Sequence, residues 1–187
     1  MNRTKTHCLL LLSGGIDSAA CLNYYWSLNI DVKPIFVNYG QAAAKEEIRS
    51  AKAISNFFGF NLEDYSCDIK ATFYQGEIKG RNAFLILIAL LTHPEYAGII
   101  SLGIHSGTTY YDCSPSFVKD MNKLLGQYTS GQVKLDTPWL NWNKKMIIDY
   151  CRSSKIPVNL TYSCENGTVP PCGKCNSCLD RIALHVN

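Results

Sequence analysis

Hydrophobic residues along the chain fall into short runs and into longer stretches with helical spacing, and the two kinds alternate. A short apolar run closed by a turn predicts a buried strand, and a longer amphipathic stretch predicts a helix. The predicted strands are residues 8–12, 32–37, 62–67, 98–104 and 133–136. The predicted helices are residues 18–28, 42–58, 81–93, 116–125 and 144–154, with a last short helix at the end of the Cys/Gly/Pro-rich stretch 161–178. This alternation predicts an α/β protein with a Rossmann-like open parallel sheet of about five strands.

Length and composition are those of one compact globular domain spanning residues 1–187. The chain is 47% hydrophobic and 18% charged, which is ordinary for a globular protein. Its longest apolar stretch, residues 83–91, is too short to cross a bilayer, and the N-terminus enters a strand pattern instead of a signal peptide. We therefore expect a cytoplasmic protein with no membrane partner.

Charge and cysteine content narrow the kind of ligand. A net charge of +3 is far from the Lys/Arg stripe of a sequence-independent nucleic-acid binder, so we expect small anionic ligands and no nucleic acid. The nine cysteines are odd in number and four of them cluster near the C-terminus. That pattern favours reduced thiols and a metal site over disulfides.

The loop Ser13-Gly14-Gly15-Ile16-Asp17-Ser18 joins the first predicted strand to the first helix. Paired glycines let backbone N–H groups approach an anion, and the helix dipole favours negative charge there. A bare Gly-Gly is more often only a tight turn, but here two serine hydroxyls bracket the loop. Asp17 at the helix start implies Mg²⁺ between its carboxylate and a phosphate. The loop lacks the Lys-Ser/Thr pair of the Walker pattern.

Ligands of open α/β sheets bind outside the carboxyl ends of the strands. The loops that follow the predicted strands should therefore meet in one crevice. They are residues 13–18, 38–41, 66–82, 104–115 and 137–144.

The loop at 13–18 resembles the SGGxDS signature of the PP-loop ATP pyrophosphatases, which have an adenine nucleotide alpha hydrolase-like fold. This resemblance implies cleavage of ATP between the α- and β-phosphates, leaving an adenylate and pyrophosphate. Further motifs follow in an order similar to that of the 7-cyano-7-deazaguanine synthase family. They are residues 38–41, 80–82, 111–113, 137–138, Lys144 and the terminal cysteines, so the resemblance covers residues 9–181.

Membership of that family would imply an ATP-dependent carbon–nitrogen ligase of the queuosine pathway. Its reaction adenylates 7-carboxy-7-deazaguanine, aminates the adenylate with ammonia to the amide, and after a second adenylation yields the nitrile. A carboxylate becomes a good electrophile only when its oxygen is made into a leaving group, which Mg²⁺ and cations assist by stabilising the departing phosphates. The resemblance also implies a homodimer.

Three residues are candidates for catalysis: Asp17, Arg81 and Lys144. Arg81 at a predicted helix start can fork onto phosphate oxygens, and Lys144 supplies a point charge. By spacing alone Lys145 is placed equally well, and only the family pattern favours Lys144. Either lysine is as often simply solvated. The predicted ATP and pyrophosphate site comprises Ser13, Gly14, Gly15, Asp17, Ser18, Val37, Arg81 and Lys144.

Four residues are candidates for substrate binding: Gln41, Asn82, Tyr111 and Asp112. The Asp112 carboxylate can accept two N–H bonds from a guanine-like ring, and Asn82 offers an amide to ribose or substrate. Tyr111 can stack on the ring, although tyrosines on loops are as often packing anchors. Cys113 next to them is not expected to be catalytic, because adenylation needs no thiol.

The cysteines Cys164, Cys172, Cys175 and Cys178 form the spacing C-x7-C-x2-C-x2-C. Such a set can hold one ion with each sulfur at about 2.3 Å, and four thiolates leave no position for water, so the site is structural. The residues between the ligands are typical of a zinc knuckle more than of an iron–sulfur cluster, and the family resemblance implies zinc. Residues 161–187 are thus the predicted zinc-binding segment.

Two features depart from the family pattern. Only about 13 residues separate the third strand from Gly80, where the family carries a longer loop around the deazaguanine pocket. Residues 103–109 lack the acidic residue that the family places after its strand. A shorter lid leaves an adenylate open to a larger amine. One alternative is therefore a paralogue that stops at the amide and joins the activated acid to a larger amine, such as one on a protein. A further alternative, a tRNA-modifying PP-loop enzyme, is disfavoured by the low charge and by the lack of an appended RNA domain.

Overall fold

The computed structural model describes residues 6–69, 73, 76–105 and 107–186. Strands and helices alternate through these ranges as predicted. The strands are β1 His7–Leu11, β2 Asp31–Asn38, β3 Glu63–Ser66, β4 Gly98–Leu102 and β5 Val133–Asp136. The helices are α1 Ile16–Ser27, α2 Ala44–Phe57, α3 Arg81–Thr92, α4 Pro115–Thr129, α5 Lys144–Ser153 and α6 Asn176–Ala183. Two 3₁₀ turns lie at Tyr111–Cys113 and Val158–Leu160.

All five strands are parallel, in the order β3-β2-β1-β4-β5. Strand order reverses at β1, which pairs with β2 on one side and with β4 on the other. Loops leaving the two halves of such a sheet diverge and open a crevice at the carboxyl ends of the central strands. The loop at 13–18 follows β1 and therefore lies at this crevice. The predicted fold class is confirmed.

Helices cover both faces of the sheet, so the central strands are buried on both sides. Side chains of a strand alternate between faces. Cys8 and Leu10 of β1 pack in a core with α1, α2 and α5, whereas Leu9 and Leu11 pack in a second core with α3 and α4. The continuous apolar runs of the sequence arise from this double burial.

Predicted and observed bounds differ most at α4 and β4. Ser114 caps α4 by accepting the Phe117 N–H at 3.1 Å, and the helix runs to Thr129, beyond the predicted end at residue 125. Its last turn is largely polar and exposed, so the apolar periodicity stops before the helix does. Strand β4 ends at Leu102 instead of residue 104, because Gly103 lies directly against the backbone of Asp17.

The cysteine-rich segment packs against the carboxyl edge of the sheet. Tyr162, Cys164, Cys175 and Cys178 form a buried cluster with Ala43, at the start of α2. The Tyr162 N–H donates to the Gly14 carbonyl at 2.9 Å, so the segment is hydrogen-bonded to the loop after β1. None of the six described helices has the length and apolar content of a membrane span.

Candidate functional site

A cleft of about 280 Å³ lies at the carboxyl ends of the central strands, where the topology predicts a ligand. Residues of all five predicted crevice loops line it, together with residues of the cysteine segment. Of the predicted site residues, those lining the cleft are Ser13, Gly15, Asp17, Ser18, Val37, Gln41, Arg81, Asn82 and Lys144. Gly14, Tyr111 and Asp112 do not line it. The structure thus brings most of the predicted residues together.

The phosphate loop, residues 13–18, owes its shape to close backbone packing. Gly14 has a φ of 83°, and a Cβ on it would lie 2.5 Å from the Glu47 carbonyl oxygen, so no other residue fits there without displacement. The Ser18 hydroxyl donates to the Gly15 carbonyl at 3.0 Å. Among the described residues, no side chain caps the N-terminus of α1. Its first N–H groups and its positive dipole end therefore suit an anion in the cleft.

Asp17 and Lys144 form an ion pair in the cleft. The Lys144 ammonium lies 2.8 Å from Oδ1 and 2.7 Å from Oδ2 of Asp17, and the two side chains are only 23% and 21% exposed. Lys145 instead pairs with Asp149 outside the cleft, and its side chain is 72% exposed. The structure therefore separates two lysines that their spacing in the sequence could not.

Backbone contacts fix the position of Asp17. The Trp139 indole N–H donates to the Asp17 carbonyl at 3.1 Å, and Trp139 is buried in the core. A Cβ on Gly103 would lie 2.9 Å from the Asp17 carbonyl carbon, so glycine at the end of β4 permits the close approach of α1. The segments that follow β4 and β5 thereby hold the backbone of Asp17 at the crevice.

His105 lies beside the ion pair, with Nε2 4.0 Å from Oδ2 of Asp17. Its Nδ1 accepts the Gly107 N–H at 3.1 Å, so the ring proton of the neutral form is on Nε2 and points toward Asp17. Burial lowers the pKa of His105, and the nearby Lys144 charge lowers it further, against the opposing effect of Asp17.

Arg81 and Asn82 begin α3 at the other end of the cleft. The Arg81 Nε–H donates to Oδ1 of Asn82 at 3.1 Å. The Asn82 amide in turn donates to the Asp112 carbonyl at 3.0 Å, and its backbone N–H donates to Oδ2 of Asp112 at 3.3 Å. Asp112 is 6% exposed. It therefore lies behind Asn82 and holds the start of α3, one hydrogen bond away from the cleft.

Gln41 and Glu47 form a partly buried polar pair next to Arg81. The Gln41 amide donates to Oε2 of Glu47 at 2.8 Å, and its carbonyl accepts the Tyr39 N–H at 2.9 Å. Burial raises the pKa of Glu47, while the Gln41 bond and the Arg81 charge act in the opposite direction. Glu47 and Tyr39 line the cleft but were not predicted as site residues.

Tyr111 faces away from the cleft. It is 56% exposed, its hydroxyl donates to Asp120 at 2.6 Å, and its ring packs edge-on against Phe117. Cys113 beside it is buried, and burial raises the pKa of its thiol. The loop before Gly80, predicted to be shortened, lies partly outside the described residues.

The four C-terminal cysteines converge as their spacing predicts. Their sulfur atoms all lie within 4.8 Å of one another. Backbone N–H groups donate to three of the sulfurs, as expected of ligand thiolates: Cys172 N–H to Cys164 Sγ at 3.3 Å, Lys174 N–H to Cys172 Sγ at 3.4 Å, and Glu165 N–H to Cys175 Sγ at 3.4 Å. Although burial raises the pKa of Cys164, hydrogen bonds from the Cys172 N–H, Thr168 and the Asn166 N–H outweigh it and bring the pKa to about 5. The cluster fits a metal ion that prefers sulfur.

The sequence interpretation missed one wall of the cleft, which the cysteine segment supplies. Tyr162, Ser163, Glu165, Ser177 and Arg181 line this wall. The available signal was spacing, because Arg181 follows Cys178 by three residues on α6, and residues three apart share a helix face. A metal-binding Cys178 would thus have placed Arg181 toward the sheet.

One family model and several named relatives match most of this chain. The family model described as queuosine biosynthesis protein QueC matches residues 7–76 and 68–185. A relative from Picrophilus torridus, named 7-cyano-7-deazaguanine synthase, is 31% identical over 206 aligned positions, covering 95% of this chain and 86% of the relative. That alignment is longer than the 187-residue chain, so the relative has residues that this chain lacks.

Solved structures agree on the fold. The NMN synthetase from Francisella tularensis has a TM-score of 0.57 and 16% identity, with 99% of this chain and 74% of that one covered. A 4-thiouridine synthetase in complex with RNA and bound ATP has a TM-score of 0.55 and 15% identity, with 97% of this chain and 50% of that one covered. At such identities the likeness shows the PP-loop fold alone.

Proposed function

The chain belongs to the QueC family of queuosine biosynthesis proteins, and on this basis we propose that it is an ATP-dependent carbon–nitrogen ligase that forms 7-cyano-7-deazaguanine. The observation that carries the proposal is the cleft itself. It joins an uncapped helix N-terminus to a carboxylate and two cations, Asp17 with Lys144 and Arg81, in a chain whose relatives bear the name of that synthase.

The proposed reaction uses two molecules of ATP. A carboxylate oxygen of 7-carboxy-7-deazaguanine attacks the α-phosphorus and pyrophosphate leaves. Ammonia attacks the carbonyl carbon of the adenylate, AMP leaves and a proton is released, which gives the amide. A second ATP adenylates the amide oxygen, and loss of AMP with the remaining amide protons gives the nitrile.

The phosphate end of the cleft binds ATP in this proposal. The N–H groups of residues 13–18 and the Ser13 and Ser18 hydroxyls receive the phosphates, and Val37 lies along the nucleotide. Asp17 is the residue that would hold Mg²⁺, whose charge stabilises the departing pyrophosphate. Lys144 now neutralises Asp17. If Asp17 held Mg²⁺, the Lys144 ammonium would be free to turn to the phosphates, and Arg81 would add a bidentate fork from the α3 side of the cleft.

The other end of the cleft binds the deazaguanine. Gln41 and Asn82 line it directly. Asp112 accepts the ring N–H and the exocyclic amine of the substrate after a small movement of Asn82. Tyr111 would stack on the ring only if its hydroxyl left Asp120. The deazaguanine must approach from the side of α3, because the phosphate loop occupies the opposite side.

Product analysis tests the proposal. The protein is incubated with ATP, Mg²⁺, 7-carboxy-7-deazaguanine and ammonium, and the products are identified by mass spectrometry. We expect the nitrile, with two AMP and two pyrophosphate formed for each molecule of product. If no AMP forms with any amine, and Asp17→Ala behaves like the wild type, the chain is not an adenylating enzyme.

A second candidate function is formation of an amide with a larger amine, such as one on a protein. The observation favouring it is that this chain lacks residues that its relative has. The two parts of the QueC match meet at residues 68–76, which is the loop predicted to be shortened, and the relative's alignment exceeds the chain. In the same assay, amide or adenylate alone with ammonium would support this candidate, and the nitrile would reject it.

We also propose that the four cysteines hold zinc and that residues 161–187 are the zinc-binding segment of a single domain. We further propose that the protein is a cytoplasmic homodimer and that ammonia is its nitrogen donor. The sulfur spacing supports a metal, and the closed set of thiolates supports zinc in a structural role. Elemental analysis should give one zinc per chain, lost in Cys172→Ser and retained in Cys67→Ser. Sedimentation equilibrium tests the dimer.

A further inference from the structure

The wall contributed by the cysteine segment includes a third cation of the cleft. Among the described residues lining the cleft, the cations are Arg81, Lys144 and Arg181, and only Arg181 comes from this segment. No step of the proposed reaction has used it so far. Its surroundings show what it can bind.

Arg181 is oriented by neutral partners. Its Nη1 donates to the Thr161 hydroxyl at 2.8 Å and to the Ser163 hydroxyl at 3.4 Å, and Nη2 donates to the Val158 carbonyl at 3.4 Å. These bonds engage three of the five N–H groups of the guanidinium. The Glu165 carboxylate on the same wall receives both the N–H and the hydroxyl of Ser177. Among the described residues, the hydrogen-bond partners of Arg181 are neutral oxygens, and a partly buried cation with such partners is stabilised further by an anion.

The position of Arg181 along the cleft follows from the residue that lies between Thr161 and Ser163 in the sequence. That residue is Tyr162, whose N–H donates to the Gly14 carbonyl of the phosphate loop at 2.9 Å. Thr161 and Ser163 flank the residue that is hydrogen-bonded to the loop at 13–18, so their partner Arg181 lies near the end of the cleft that binds phosphates in the proposed function.

The four cysteines determine where the helix carrying Arg181 lies. Helix α6 begins directly after Cys175 and includes Cys178, three residues before Arg181. An ion bound by the four sulfurs would fix Cys175 and Cys178, and with them the first turn of α6. The metal site therefore positions a side chain in the cleft as well as stabilising the segment.

We infer that Arg181 binds the pyrophosphate portion of ATP, and that the metal-binding segment delivers it to the cleft. The inference rests on the proposed function, because it requires ATP bound with its phosphates at residues 13–18. A guanidinium with two unused N–H groups suits the β- and γ-phosphates, which carry most of the charge. AMP lacks both of these phosphates.

Calorimetric titration of the zinc-loaded protein with Mg²⁺-pyrophosphate, Mg²⁺-ATP and AMP tests the inference. For Arg181→Gln we expect affinity for pyrophosphate and ATP to fall about tenfold to a hundredfold, the range for a lost charged hydrogen bond. Affinity for AMP should change less than about twofold, since the remaining contacts are intact.

Arg152→Gln is the matched control. Arg152 donates to the Leu184 carbonyl at 2.7 Å, so it also holds α6, but it lies outside the cleft. Its loss should leave all three affinities unchanged. Equal weakening in both variants would show that a loosened helix, and not a lost phosphate contact, causes the effect, and would overturn the inference.

Two further outcomes separate the inference from the proposed function. The inference alone fails if the wild type binds ATP and the zinc-loaded Arg181→Gln variant binds pyrophosphate as tightly as the wild type. It also fails alone if the variant's affinity for AMP falls as much as its affinity for pyrophosphate. If the wild type binds neither ATP nor pyrophosphate, the proposed function fails with it. Should Arg181→Gln not retain zinc, Arg181→Lys decides, because it keeps the charge and loses the fork. Unchanged pyrophosphate affinity there overturns the inference.

Discussion

The two ends of the cleft are built in different ways. Six consecutive residues, 13–18, form most of the phosphate end, and its donors are backbone N–H groups whose direction the start of α1 sets. The other end joins Gln41, Glu47, Asn82 and Asp112 from separate elements, through hydrogen bonds in which each of these side chains takes part. The first end depends on backbone shape, and the second depends on which side chains meet.

This difference implies different responses to mutation. The loop at 13–18, whose donors are backbone N–H groups, should tolerate most changes of its own side chains. The exceptions are changes that alter the course of its backbone or remove the Asp17 carboxylate. A site made of buried side-chain contacts should respond to exchange of a single polar atom, since each donor left unpaired has a cost. Four substitutions test the contrast.

Asp17→Asn should have the largest effect. It removes the negative charge that would bind Mg²⁺ and leaves the Lys144 ammonium in the cleft without its carboxylate. We expect pyrophosphate release to slow by about 10³-fold, the scale of losing a major electrostatic contact. Asp149→Asn, which breaks the exposed pair with Lys145, is the control and should be neutral. A loss below about tenfold would contradict the role given to Asp17.

Gly14→Ala should destabilise the fold through the backbone of the phosphate loop. Gly59→Ala is the matched control, because its φ of 78° is similar but nothing lies within 4 Å of the added Cβ. The control should lose about 1–2 kcal/mol of unfolding free energy, which lowers Tm by roughly 2–8 °C. At Gly14 the Glu47 carbonyl at 2.5 Å adds a steric term, so the loss should be at least twice as large. Equal losses by calorimetry would show that the loop shifts freely.

Asp112→Asn tests the substrate end of the cleft, because it replaces one carboxylate oxygen by an amide nitrogen and changes little else. We expect KM for 7-carboxy-7-deazaguanine to rise about tenfold, because one charged hydrogen bond is weakened, while KM for ATP stays within twofold. Asp120→Asn, which loses only the exposed Tyr111 contact, controls for changes in this loop. If KM for ATP rises as much as KM for the acid, Asp112 acts by holding α3 and Arg81.

Glu47→Gln should have the smallest effect, and it depends on pH. Burial raises the pKa of Glu47 in the folded protein, so its contribution to stability is fully present below the ordinary pKa near 4.5 and is lost as pH rises through the folded value. The difference in unfolding free energy between wild type and variant should therefore change above pH 4.5, by no more than about 1.4 kcal/mol per pH unit. A flat difference from pH 4 to 7 would contradict this burial effect. Glu77→Gln on an exposed stretch is the reference.

The fold and the phosphate end were predictable because both depend on local patterns. The alternating apolar runs predicted each described strand and the parallel sheet, whereas the order of the strands came only from the structure. The loop at 13–18 shows its glycines, hydroxyls and carboxylate within six residues. Nothing comparable marks Glu47, which is separated from Gln41 in the sequence by a stretch that also suits an ordinary helix start.

Residues joined by tertiary contacts were the ones the sequence could not place. Spacing could not separate Lys144 from Lys145, since both begin α5 and only the turn of the helix decides which one meets Asp17. Tyr111 and Asp112 were treated as neighbours with one task, yet adjacent residues of a 3₁₀ turn point in different directions. Arg181 was missed because its partners lie about twenty residues earlier.

The hydrogen bond between Tyr162 and Gly14 has a consequence for the order in which the protein is made. The ribosome adds residue 14 long before residue 162, and at 5–20 residues per second the interval is on the order of ten seconds. During that time the strands of the sheet can pair, but the phosphate loop lacks the segment around Tyr162 that is hydrogen-bonded to it. A nascent chain should therefore not acquire ATP affinity gradually. Affinity should arise in one late step, when the cysteine segment emerges and finds its metal.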